Sequence, residues 1–129
     1  MLFRSDAGVR RLQAYGDWLG AAPPTEGMLL KYAIGGAATP AGQGTRPQVS
    51  RDTGSGDFVF TVIVREDAAI AVVGKTASDL ASGGWTAEGV TAVEPADQSA
   101  APAGCKVVEY RVTAASAQRF LRLEVTHSP

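Results

Sequence analysis

The chain has 129 residues, 45% hydrophobic and 19% charged, with a formal net charge of -1. That is enough for one packed domain and too little for two. Nine Arg and three Lys scattered among thirteen acids leave no basic footprint for a phosphate backbone, which excludes nucleic acid as a partner, and no apolar run approaches the roughly 20 residues of a membrane-spanning helix.

In chain order, Asp6 to Leu19 places Val9, Leu12, Tyr15 or Gly16, and Leu19 near helical spacing, which predicts a short amphipathic helix stopped by Gly20 to Pro24. Thr25 is suited to cap a second helix. Glu26 then sits in the first turn, Met28, Leu29, Tyr32 and Ala33 form a packing face, and Gly35-Gly36 supplies a left-handed stop. Helices this short are marginal alone, so both are expected to lie against other structure. Ala37 to Thr45 has no periodicity and reads as a surface connection.

From there the pattern changes to period two. A short run at Pro47 to Arg51 precedes Asp57 to Arg65, in which Phe58, Phe60, Val62 and Val64 share one face and Val59 and Ile63 occupy much of the other; this predicts a central strand covered on both sides. Arg65-Glu66-Asp67 turns into a strand over Ala68 to Thr76, Ser78 to Thr86 reads as a turn closed by Trp85, and Val90 to Val93 reads as a short strand. After the Pro-rich stretch Glu94 to Gly104, Val108, Tyr110 and Val112 alternate with Val107, Glu109 and Arg111, and Leu121, Leu123 and Val125 alternate with Phe120, Arg122 and Glu124. These last two runs are expected to pair as an antiparallel hairpin joined by Ala114 to Arg119. The predicted fold is mostly β: a small antiparallel β-sandwich of six to eight strands over 46–129, preceded by two short α-helices within 1–36 and the loop 37–45.

Several motifs have the letters of a chemistry without its context. Asp52-Thr53-Gly54-Ser55 resembles an aspartic-protease turn, yet only one copy is present and Val49-Ser50-Arg51 before it is no apolar strand, so a Gly-rich hairpin turn is expected. Gly74-Lys75-Thr76 ends like a phosphate-binding loop, but Ala69 stands where the pattern needs glycine, and a strand end is expected. Asp67, Asp79, Glu88, Glu94 and Asp97 are spread among turns without a calcium loop. One cysteine, Cys105, and one histidine, His127, remove an intrachain disulfide and most zinc chemistry. Cys105 is expected to be a buried or edge residue at a strand start, with no base to activate it. No metal or cofactor is expected, and no catalytic residues are assigned. Trp85 is expected to pack at one end of the sandwich; the alternative is a sugar-stacking platform, with Trp85, Asp79, Ser82 and Glu88 as ligand-binding residues.

Four segments in order carry a family resemblance: Leu29-Leu30-Lys31-Tyr32-Ala33-Ile34-Gly35-Gly36, Arg65-Glu66-Asp67, Ser78-Asp79-Leu80 with Trp85-Thr86, and Arg119 to Thr126. Over about the last hundred positions the chain resembles the C-terminal β-sandwich module that closes many large exported verrucomicrobial-type bacterial surface proteins and polysaccharide-acting hydrolases. The resemblance implies a secreted or cell-surface location and a non-catalytic accessory role, structural or adhesive, with upstream domains of the same polypeptide as partners and glycans as a further candidate. Met1 to Arg11 lacks the apolar core of a signal peptide, so an export signal is expected upstream. Similar proteins often carry an acidic calcium-type repeat where this chain has Ala21 to Gly27, so no calcium is implied. Carbohydrate binding through Trp85, and a C-terminal sorting or anchoring signal, stand as the alternative functions.

Overall fold

The computed structural model describes residues 15–78, 84–113 and 120–128. A helical stretch at 15–19 leads to helix α1 (Glu26–Ala33) and then to strands β1 (Gln48–Arg51), β2 (Phe58–Arg65), β3 (Ile70–Ala77), β4 (Val90–Val93), β5 (Cys105–Val112) and β6 (Phe120–His127). The strands make two antiparallel sheets, one of four strands in the order β1-β2-β5-β4 and one of two, β3-β6. The expected mostly β architecture is present, with six strands among the described residues.

Helix α1 begins where its cap places it. The Thr25 hydroxyl accepts a hydrogen bond from the Met28 backbone N–H at 3.2 Å, and Glu26 meets the positive end of the helix. The helix stops at Ile34, which is extended and bridges to Val64 of β2. Gly35 and Gly36 then adopt φ of +103° and +74°, a left-handed region that a side chain disfavours, and Gly35 N–H donates to the Ile63 carbonyl at 2.8 Å. Tyr32 and Ala33 are buried, Met28 and Leu29 half-buried, as the packing face predicts. Residues 15–19 are helical and end at Gly20, while the earlier part of the predicted first helix, 6–14, lies outside the described residues. Tyr15, Trp18, Tyr32 and His127 gather into a ring cluster with centroid separations of 5.0 Å and 5.3 Å from Tyr32 to Tyr15 and Trp18, and 5.2 Å from Tyr15 to His127. Both helical segments therefore dock on the β6 end of the sandwich.

In the larger sheet, β2 and β5 are interior. Val59, Val62, Ile63 and Val64 are all buried in β2, and Cys105, Val107, Val108, Tyr110 and Val112 in β5, so each strand is covered on both faces. Register places Phe60 opposite Tyr110 and Val62 opposite Val108, which puts these residues on the face turned toward β3 and β6. Val62, Val64, Val108 and Tyr110 form the core, with Val72 and Leu123 packing onto it from the second sheet. Gly74 lets the sheets approach: a Cβ there would lie 2.9 Å from Val90 Cγ1 and 3.0 Å from Tyr110 Cδ1. Beyond the end of β4, the Gln98 side chain takes over as the ladder partner of β5, accepting from Val107 N–H (2.7 Å) and donating to its carbonyl (3.1 Å).

The terminal hairpin predicted from the sequence is not formed. β5 pairs with β2 and β4, whereas β6 pairs with β3, so Leu121, Leu123 and Val125 do not sit beside Val108, Tyr110 and Val112 in one ladder. The inward orientation is right and the neighbour is wrong: Leu123 meets Val108 and Tyr110 across the layers of the sandwich. Period-two alternation specifies which face a strand buries, and it carries no information about which strand lies alongside. A strand buried on both faces, as β5 is, needs two flanking strands, and β2 and β4 supply them. The connection 114–119 lies outside the described residues.

Candidate functional site

Asp52 closes the β1–β2 hairpin. Its Oδ1 accepts from the backbone N–H of Gly54 (2.8 Å) and Ser55 (3.4 Å), and its Oδ2 lies 2.9 Å from Arg111 Nη1 on β5. The guanidinium first, then the two backbone donors, hold its carboxyl below the usual carboxylate range. Arg111 also binds Glu109. Asp52 is thus a turn-stabilising residue, consistent with the Gly-rich hairpin expected for this motif. Gly74-Lys75-Thr76 lies within β3, as expected, with Thr76 buried and exchanging backbone hydrogen bonds with Thr86 at 2.8 Å and 2.9 Å.

That bridge joins β3 to the segment leading into β4. A cleft of about 400 Å³ is lined by residues of β2, the β2–β3 turn, β3, β4 and β5. Its lining mixes aliphatic side chains, among them Val64, Ile70, Val72 and Val108, with charged ones, and Tyr110 donates its hydroxyl to the Val72 carbonyl at 3.3 Å. Four of the charged groups that line it serve the fold. Arg65 donates to the carbonyls of Tyr32 (2.8 Å) and Ala37 (2.7 Å) and lies 4.5 Å over the Tyr32 ring; Asp67 accepts from the Tyr32 hydroxyl at 2.7 Å and from Ala69 N–H at 2.9 Å. Lys106 pairs with Glu94 at 2.9 Å. Burial, and then the bond to Asp67, push the Tyr32 phenol well above its ordinary pKa, so it stays a neutral donor.

A different surface gathers aromatic and charged groups that face solvent. On the outward face of the β3–β6 sheet, Lys75 stands opposite Arg122, with Ala77 opposite Phe120 on one side and Val73 opposite Glu124 on the other. Arg122 donates from Nε (3.0 Å) and Nη2 to Glu124, Lys75 lies 2.9 Å from the same carboxylate, and the Arg122 guanidinium sits 4.2 Å above the Trp85 ring. Lys75 first, then Arg122, hold the Glu124 carboxyl below its ordinary pKa. Val73 and Phe120 are exposed.

Of the ligand-binding residues proposed from sequence, Trp85 is half-buried on this face beneath Arg122. Glu88 is exposed in the turn before β4, where its backbone carbonyl accepts from the Thr76 hydroxyl at 3.3 Å. Asp79 and Ser82 lie outside the described residues. Sequence reasoning missed Arg122, Lys75 and Glu124 as companions of Trp85, because the β3–β6 pairing that brings them together spans about fifty residues. Cys105 is buried at the start of β5, as expected, and burial raises its thiol pKa. Among the described residues no three His, Cys, Asp or Glu side chains converge as a metal site, and no helix is long and apolar enough to cross a membrane.

Fold and surface together define the class, a small antiparallel β-sandwich with a helical lead-in. No protein-family model, curated protein or solved structure matches the chain.

Proposed function

We propose that this chain is a non-catalytic accessory module of a larger secreted or cell-surface protein, with a structural and adhesive role. The observation that supports this reading is where the polar side chains are directed. Asp52, Arg65, Asp67, Lys106 and Arg111 are bound to the chain's own backbone or to one another, joining turns and layers. A catalytic constellation instead aims its acids, bases and donors at a place where a reacting atom can sit. The test is a panel of glycosidase, esterase and peptidase substrates on the purified chain. No turnover above buffer is expected; turnover abolished by Asp52→Asn or Glu94→Gln in a folded variant would overturn the reading.

A second reading, glycan binding, is favoured by one specific feature. Phe120 and Val73 are exposed beside cationic side chains on a solvent-facing sheet, one of them seated on the Trp85 ring, a combination of apolar and polar groups suited to a sugar ring. Affinity electrophoresis of the wild-type chain and Trp85→Ala in gels containing polysaccharides tests it. Retardation that weakens in a folded Trp85→Ala variant is expected, and unchanged mobility with every polysaccharide would remove it.

A further inference from the structure

We propose that the outward face of the β3–β6 sheet binds an acidic polysaccharide, one bearing uronate carboxylates or sulfate esters, with Arg122 and Lys75 as its anion contacts. This rests on the glycan reading above and specifies its surface and ligand class. The register sets Lys75 directly opposite Arg122, and like charges facing each other across a ladder disfavour the pairing. Glu124, one rung along, touches both. Among the described residues of this face, one carboxylate against two cations leaves a surplus of one positive charge. Within the fold Glu124 and the Trp85 ring offset the repulsion between the two cations, and an anionic ligand would take up the positive charge that remains.

The geometry suits that ligand. The Trp85 ring supports the guanidinium from below, and Glu124 engages its Nε and Nη2, which together fix the orientation of Arg122 while its side chain remains 47% exposed. Apolar side chains flank the cations, Phe120 on one neighbouring rung and Val73 on the other. Rungs on one face repeat every two residues, about 6.6–6.8 Å, so apolar contact and charge lie within reach of a single substituted sugar ring. An extended acidic peptide has less to gain here. Backbone donors and acceptors lie in the plane of the sheet, so a peptide would ladder at an edge strand rather than lie across side chains.

The experiment is affinity electrophoresis of the full chain in gels containing polygalacturonate, dextran sulfate, a neutral β-glucan or poly-glutamate, with thermal melts confirming that each variant is folded. Retardation by polygalacturonate or dextran sulfate is expected, and which of the two acts identifies the anion. Arg122→Gln and Lys75→Gln should each weaken it about tenfold, the order of one charge-assisted contact. Glu124→Gln, which removes the competing carboxylate without adding bulk, should strengthen it, and this gain stays decisive if Arg122→Gln fails to fold. Retardation by the neutral glucan equal to or greater than that by the acidic gels, and indifferent to Arg122→Gln, overturns the inference while the glycan reading stands. Equal retardation by poly-glutamate overturns it in favour of charge alone. Unaltered mobility in all four gels overturns both.

Discussion

Gly74 sets how closely the two sheets of this sandwich approach. With Val90 and Tyr110 packed against its Cα, any Cβ forces one of them away. Gly74→Ala is expected to destabilise the domain by about 1–3 kcal/mol, the range for overpacking a filled core, read as a lower urea midpoint at unchanged m-value. Cys105 offers a complementary measurement. At 8% exposure, with its thiol pKa raised by burial, it should be inert to a thiol reagent in the native state and react fully once the chain is unfolded. Modification of the native protein at the rate of a free thiol would contradict its placement. At this scale the sequence was informative about Cys105, Thr25 and the Gly35-Gly36 stop, because each acts through its immediate chain neighbours. It was silent on Gly74, whose role depends on Val90 and Tyr110, residues distant along the chain.

Among the elements, α1 is specified almost entirely by local chemistry. Thr25→Ala should cost about 1 kcal/mol through loss of the cap to Met28 N–H, and Thr25→Ser should restore most of it; equal melting of all three forms would refute the capping role. The strands behave differently. β2 was recognisable as central because both of its faces are apolar, and it is flanked by β1 and β5. β5 carries the same signature in Val107 and Val108, both buried, but proximity in sequence to β6 favoured a hairpin that does not exist. The pairing itself is testable. A disulfide between Val73→Cys and Glu124→Cys, cross-strand partners in the β3–β6 ladder, should form readily, whereas one between Tyr110→Cys and Leu123→Cys, expected from a β5–β6 hairpin, should not.

For the whole molecule, acid is the informative perturbation. Asp52, Asp97 and Glu124 have native carboxyl pKa values held below the ordinary range, by Arg111, by Ser99, and by Lys75 with Arg122 respectively. As pH falls below about 4, the unfolded chain therefore binds protons before the native one, so the stability these groups contribute is present above that point and is lost as pH drops through their native values. Urea midpoints should be level between pH 5 and 7 and decline toward pH 3; a midpoint that rises on acidification would contradict these pairings. The amino-acid sequence by itself determined the class of fold, the second helix and the alternating faces of β2, β5 and β6, because periodicity, caps and turn residues act over a few positions of chain. Tertiary structure alone decided that β6 lies beside β3 and that Trp85, Lys75, Arg122 and Glu124 share one face. Side-chain alternation is the same whichever neighbour a strand takes, and the choice falls to the burial of both faces of β2 and β5, which only the assembled layers can satisfy.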